Sequence, residues 1–141
     1  MAVRTAEAEW QGDLRGGSGN MKFGSGAFEG AYSFSSRFEE GTGTNPEELI
    51  AAAHAGCYSM ALSNMLATEG HPPKRVHTTA RVTLEKGEGG FGISNIHLTT
   101  EADVPGITPE LFKEKSEAAK TGCPVSKALA ATNITLEARL V

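Results

Sequence analysis

Two cysteines, Cys57 and Cys123, are the side chains of this sequence with the widest range of chemistry open to them. Cys57 follows Gly56 and stands three positions after His54, inside the run Ala51-Ala52-Ala53-His54-Ala55-Gly56-Cys57-Tyr58-Ser59-Met60. In such a stretch a lone thiol is commonly a small core residue, because free cysteine is among the most buried residue types. Cys123 has a different setting. Followed by Pro124, it stands where a helix can start, and the unpaired N–H groups and positive dipole end at that place favour thiolate over thiol. As a chance cap residue it would need no chemistry at all. His54 and Cys57, at i and i+3, could share a metal ion with His71, His77, His97 or Cys123. No C-x-x-C or H-x-x-x-H pair accompanies them, so no metal site is expected. A Ser nucleophile elbow, a phosphate-cradling Gly loop and a dinucleotide fingerprint are absent, and Gly-rich Arg15 to Asn20 reads as a hairpin turn.

Composition narrows the classes. With 141 residues, 39% hydrophobic and 21% charged, the chain fits one globular domain spanning 1–141. A chain of this size buries roughly 68–70% of its unfolded surface, so any cysteine pairing needs a reason other than a deficient core. Net charge is −4 and the basic residues are scattered, which excludes the basic stripe that nucleic acid requires. Met1 to Glu7 lacks the n- and h-regions of a signal peptide, so a cytoplasmic location is expected. In that compartment thiols are kept reduced, which makes the cysteines inert, metal-binding or redox-active rather than a permanent staple. Leu49 to Ala67 contains no Lys, Arg, Asp or Glu. Its His54, Ser59, Ser63 and Asn64, together with its Ala and Gly content, fit a buried helix in close contact with another helix and not a membrane span.

The elements that must position these residues are legible in outline. The first forty residues alternate around glycines and read as short strands joined by turns. Asn45-Pro46-Glu47-Glu48 places an N-cap, a proline at the first helical position and a capping-box glutamate, Glu48, three residues after the cap. The helix should run to about Glu69, with Gly70 and Pro72-Pro73 as its stop, roughly 24 residues and roughly 36 Å long. Between Ala51 and Met60 only His54 and Ser59 break the apolar run, which predicts a helix packed nearly all round. Val76, Thr78, Ala80, Val82 and Leu84 alternate with polar residues, Lys86 to Gly90 turns, and Ile93 to Val104 completes a hairpin. Thr108-Pro109-Glu110 opens a second helix ending near Thr121-Gly122. Cys123-Pro124 caps another, before a last strand through Ile134, Leu136, Ala138 and Leu140.

Four segments together resemble the osmotically inducible and organic hydroperoxide resistance (OsmC/Ohr) proteins. They are Ser36-Arg37-Phe38-Glu39, Gly43-Thr44-Asn45-Pro46-Glu47-Glu48-Leu49, Ala51 to Leu62, and Ala119-Lys120-Thr121-Gly122-Cys123-Pro124-Val125-Ser126. They occur in the family's order, and the similarity runs from about Glu9 to the C-terminus. The Arg37-Phe38 placement and His54 are closer to the osmotically inducible branch.

The resemblance implies an α+β, OsmC-like fold, with antiparallel β-sheets packed around a long buried central helix in an intertwined homodimer. It implies a thiol peroxidase, active on organic hydroperoxides in oxidative or osmotic stress defence. By motif, Cys57 attacks the peroxide, Cys123 condenses with the resulting sulfenic acid, and Arg37 and Glu47 complete the site. Such chemistry is within reach of these side chains: a second thiol converts a sulfenic acid to a disulfide before irreversible overoxidation. Arg37 would favour the Cys57 thiolate, and Glu47 would hold the guanidinium. Glu48 is explained by capping alone. No bound cofactor is implied, only an external dithiol reductant of the lipoyl type. Phe38, Leu49, Ile50, Met60 and Phe112 stand near the motifs and would form an apolar pocket preferring organic hydroperoxides to hydrogen peroxide. Glu47 and Cys57 are ten positions apart, roughly 15 Å along one helix. An antiparallel crossing of two helices near Ala52 would bring Glu47 of one chain beside Cys57 of the other, giving shared active sites. The competing reading is a non-catalytic protein binding a small hydrophobic ligand; a structural Cys57–Cys123 disulfide would be worth about 4 kcal/mol but suits the cytoplasm poorly.

Overall fold

A computed structural model describes residues 1–141, which form two compact units, Met1–Leu49 and Ile50–Val141. In the first unit, β1 (Ala6–Gln11), β2 (Ser18–Phe23) and β3 (Glu29–Tyr32) form an antiparallel sheet in that order. Alternate residues of β2 and β3 turn to a half-buried face, where the Trp10 and Tyr32 rings lie 5.3 Å apart. Gly19 sits between them. A Cβ there would come within 2.5 Å of Tyr32 and 2.7 Å of Trp10, so this close packing requires glycine.

The strand-and-turn reading of the first forty residues needs one correction, because α1 (Phe34–Phe38) is helical. Its device is a capping box built from two serines. Ser36 N donates to Ser33 Oγ at 3.1 Å, and Ser33 N donates to Ser36 Oγ at 2.8 Å. Serine at the third position thus does what glutamate does in the common form. Ser36 Oγ also donates to the Thr44 carbonyl at 2.7 Å, and Asn45 Nδ2 to the Ser36 carbonyl at 2.9 Å. These bonds tie α1 to the entry of the long helix.

That helix, α2 (Pro46–Thr68), has 23 residues. Asn45 caps it as expected, its Oδ1 accepting from Glu48 N at 2.8 Å. The reciprocal half of the capping box does not form as expected, since Glu48 Oε1 instead accepts from the Thr44 hydroxyl at 2.8 Å. A hydroxyl within reach competes with the cap N–H for the same carboxylate. At the other end Gly70 has φ +85°, with Gly70 N donating to the Ala67 carbonyl and His71 N to the Leu66 carbonyl, both at 2.9 Å. This is a Schellman stop, which glycine permits without steric cost. No helix is long and apolar enough to cross a membrane.

In the second unit, β4 (Arg75–Gly87) and β5 (Gly90–Asp103) form a long antiparallel hairpin with a bulge at Thr83/Leu84. Then come α3 (Pro109–Gly122), capped by Thr108, and the short α4 (Pro124–Ala128). The last strand, β6 (Asn133–Leu140), pairs with β5 in parallel. The sheets are therefore not wholly antiparallel. A strand that returns through two intervening helices re-enters from the same end as β5, and only a crossover of that length allows parallel pairing.

His54, Tyr58, Leu62 and Leu66 recur every four residues along α2 and are all fully buried. Tyr58, Leu62 and Leu66 join Ile96, Leu98 and Ala102 of β5 and Phe112 and Ala119 of α3 in one core. Polar bonds register the layers: Ser59 Oγ donates to Thr78 Oγ1 at 2.7 Å, and the Tyr58 hydroxyl donates to the Ser116 carbonyl at 3.2 Å. The expectation of a helix packed all round is corrected here. Ala52, Ala53, Gly56 and Met60 are exposed, Met60 by 77%. The sheet and α3 cover one stripe of the helix, and a single chain leaves its small-residue face open.

Candidate active site

Two helices meet at Cys123, and its backbone and sulfur serve both. Its N–H donates to the Ala119 carbonyl at 3.1 Å, ending α3. Its extended backbone, φ −66° and ψ 140°, breaks the path, and its Sγ accepts from Ser126 N at 3.3 Å, starting α4. Pro124 at the first helical position costs no hydrogen bond, because its N–H would have been unpaired. Cys123 is fully buried.

Cys57 reaches this junction from α2. It is half-buried, and both cysteines are free thiols. Burial is the largest influence on the Cys57 thiol and pushes it up. A backbone hydrogen bond with Val125, the second residue of α4, pulls it down, and the neighbouring Cys123 side chain, through a hydrogen bond and charge, pushes it up again. None of the influences on Cys57 is a cation, and the two cysteines share one packed cluster, Cys123 buried within it and Cys57 packed against it. In a single chain the attacking group suggested by sequence is held as a thiol.

Arg37, on α1, and Glu47, in the first turn of α2, form a two-pronged pair in the first unit. Arg37 Nε donates to Glu47 Oε1 at 2.8 Å and Nη2 donates to Oε2 at 3.2 Å. The Glu47 side chain keeps 10% exposure and that of Arg37 35%. The guanidinium also lies 5.3 Å from the Phe38 ring centroid, and Phe38 packs on Phe34 at 4.9 Å. Planar fork, carboxylate and ring together fix the cation's orientation. Of the five residues named for an apolar pocket, Phe112 is a core residue at 4% exposure. It is the first inward position of amphipathic α3, with Ser116 and Ala119 following on the same face.

Two polar residues at the junction carry no role in the sequence reading. His54 Nε2 lies 2.7 Å from Ser126 Oγ, and the Cys123 thiol donates to the same Ser126 oxygen at 3.1 Å. His54 is weighed in sequence as a metal ligand and as a mark of the osmotically inducible branch, and Ser126 only as part of a motif. The available signal was the pattern Cys123-Pro124-Val125-Ser126, a cap residue with a polar partner three positions on.

Residues 39–139 match the family model described as OsmC-like protein. The chain is 47% identical over 138 residues to peroxiredoxin OsmC of Escherichia coli (strain K12), covering 97% of this chain and 96% of that one. It is 37% identical over 89 residues to the organic hydroperoxide resistance protein OhrB of Bacillus subtilis (strain 168), covering 62% of each. Among solved structures, an OsmC-like protein of unknown function from Vibrio cholerae superposes with a TM-score of 0.79 at 16% identity, covering 98% of this chain and 99% of that one. That likeness establishes the two-sheet α+β fold, and with the family model and the near full-length identity it establishes the kinship: the chain belongs to the OsmC family.

Proposed function

We propose that this protein reduces organic hydroperoxides by a two-cysteine cycle, with Cys57 as the attacking thiolate and Cys123 as the resolving thiol. That it is a cysteine-based peroxidase follows from its kinship with a protein named peroxiredoxin OsmC, and the finer cycle is our reading. The observation that carries it is that two free thiols belong to one packed cluster, Cys123 buried within it and the half-buried Cys57 packed against it. The Cys57 thiolate attacks the O–O bond, its sulfur becomes a sulfenic acid, and the alkoxide leaves and takes a proton as the alcohol. The Cys123 sulfur then displaces hydroxide from Cys57, which departs as water and leaves a disulfide. An external dithiol, which we assign to the lipoyl type, returns both thiols in a compartment kept reducing, the cytoplasm.

Arg37 activates Cys57 in this reading, and Glu47 aims the guanidinium. Helix geometry argues that the pair serves the other subunit's cysteine, because Glu47 and Cys57 are separated by roughly 15 Å along α2. Two copies of α2 crossing antiparallel near Ala52 would set Glu47 beside Cys57 of the partner subunit. The open face of Ala52, Ala53 and Gly56 supports that crossing, since small side chains permit close approach. A twofold dimer then has two identical sites. The Phe34–Phe38 ring pair next to Arg37 offers apolar surface to the carbon body of a substrate, which favours organic hydroperoxides over hydrogen peroxide.

Stopped-flow oxidation of the purified protein with hydrogen peroxide, cumene hydroperoxide and a fatty-acid hydroperoxide, each with a monothiol or a dithiol reductant, tests the reading. Faster reaction with the bulky hydroperoxides and turnover sustained by the dithiol are expected. Equal rates for all three peroxides would remove the substrate assignment, and no peroxide-dependent loss of thiols would remove the cycle.

A further inference from the structure

Behind Cys123 lies a buried line of polar groups that the two-cysteine cycle leaves unused. The Cys123 thiol donates to Ser126 Oγ at 3.1 Å, and Ser126 Oγ lies 2.7 Å from His54 Nε2. All three residues are buried, with His54 and Cys123 fully so. His54 is also three positions before Cys57 on α2, so the line leaves the resolving sulfur and returns to the helix of the attacking one. The far ring nitrogen, His54 Nδ1, is buried and has no hydrogen-bond partner. A histidine kept only for packing would gain by being replaced with an apolar residue, because an unpaired buried nitrogen is costly.

We propose that Ser126 and His54 form a proton relay that ionises Cys123 for disulfide closure. The inference rests on the two-cysteine cycle and adds the residues of its second step. A thiol must lose its proton before its sulfur can attack a sulfenic acid, and Cys123, sealed from water, has no solvent molecule to give it to. Ser126 Oγ takes the Cys123 proton while its own passes to His54 Nε2. The freed electron pair on Cys123 attacks the Cys57 sulfur, the S–O bond breaks, and hydroxide leaves. The proton on His54 balances that hydroxide, so one water is released overall. The Cys57 sulfur is reduced and the Cys123 sulfur oxidised, each ending in the disulfide. Ser126 touches the reacting sulfur; His54 acts through it and is a positioning residue that also holds the proton.

The environment suits a transient carrier. Burial lowers His54 below the ordinary histidine range, so it is a free base at neutral pH and does not store the proton it receives. The titratable groups bordering the line are Cys57 and Tyr58 on α2, Cys123 itself, and Glu117 on α3, whose charge acts on Tyr58. Burial holds Tyr58 protonated throughout the working range.

The test separates the two chemical steps. One equivalent of cumene hydroperoxide is mixed with wild-type, Ser126→Ala, Ser126→Thr and His54→Gln full-length protein, and dimedone trapping and thiol counting follow sulfenic acid and disulfide over time from pH 5.5 to 9. The ratio of closure rate to sulfenic-acid formation should fall roughly 10- to 100-fold in Ser126→Ala and His54→Gln. Ser126→Thr, which keeps the hydroxyl, should restore it. Wild-type closure should be level above about pH 6.5, while Ser126→Ala closure should climb about tenfold per pH unit towards the ordinary thiol range. Closure in Ser126→Ala equal to wild type at every pH overturns the relay. So does slowing by the same factor at every pH, which marks a role in packing alone, and the serine pair decides the matter should His54→Gln fail to fold. Absence of both sulfenic acid and disulfide in the wild type after peroxide is added would instead overturn the peroxidase cycle, and the relay with it.

Discussion

Arg37 and Glu47 meet fork to fork, Nε to Oε1 at 2.8 Å and Nη2 to Oε2 at 3.2 Å, across the joint between α1 and the first turn of α2. Lysine cannot reproduce that geometry, because an ammonium is a point charge without a planar fork. Arg37→Lys and Glu47→Gln should each lower kcat/KM for cumene hydroperoxide roughly 10- to 100-fold, the equivalent of one or two charge-assisted hydrogen bonds. Steady-state peroxide consumption measures it, and unaltered kcat/KM in both variants would leave the pair a purely structural tie.

Shared sites predict complementation. Glu47→Ala and Cys57→Ser subunits, each impaired alone, should regain activity when mixed, because every heterodimer then has one site with both groups intact. Native mass spectrometry verifies the exchange. A fully active monomer in sedimentation at micromolar concentration, or no recovery after proven exchange, would rule out the crossing of α2 near Ala52.

Division of labour between the thiols is the third expectation. Cys57→Ser should abolish peroxide consumption, whereas Cys123→Ser should react once and stop at sulfenic or sulfinic acid. Intact-mass analysis after one equivalent of peroxide distinguishes these products. Most of the activity surviving in Cys57→Ser would identify a different nucleophile.

The ionisation of Cys57 should respond to Arg37. Within the chain, burial first and then Cys123 outweigh the pull of Val125 and push the thiol up, so higher pH is needed to reach the thiolate. A guanidinium supplied from a partner subunit, as proposed, would act in the opposite sense. The pH midpoint of Cys57 alkylation by iodoacetamide, followed in a Cys123→Ser background, should therefore move upward in Arg37→Ala. An unchanged midpoint places no cation at the thiol.

Stability should depend on the buried stripe of α2. Leu62→Ala should cost about 2–5 kcal/mol, the usual range for a fully buried leucine. Tyr58→Phe, losing only the bond to the Ser116 carbonyl, should cost about 0.5–1.5 kcal/mol, the net worth of one hydrogen bond, because that carbonyl lies inside α3 and keeps its place in the helix ladder. Urea unfolding measures both, and a Tyr58→Phe loss as large as that of Leu62→Ala would mean the hydroxyl does more than make this bond.

Sequence alone determined whatever depends on local chemistry. Asn45 as a cap, Gly70 as a stop, the β4–β5 hairpin, the cap at Cys123 and the motifs around Cys57 are readable because each requires only residues a few positions apart. Local reading failed where two short-range choices competed. The serine box at Ser33 and Ser36 turned an expected extended segment into α1, and the Thr44 hydroxyl drew Glu48 away from its expected partner. Three further relationships were decided only by tertiary structure. Parallel β6 follows from the helices that carry the chain back to the sheet. The open face of α2 follows from which stripe that sheet covers, since an apolar composition does not say how many sides find a partner. The line from His54 through Ser126 to Cys123 joins residues 72 positions apart; no spacing rule spans such a distance, and only the packing of α4 against α2 brings a histidine into hydrogen-bonding reach of the serine beside the buried thiol.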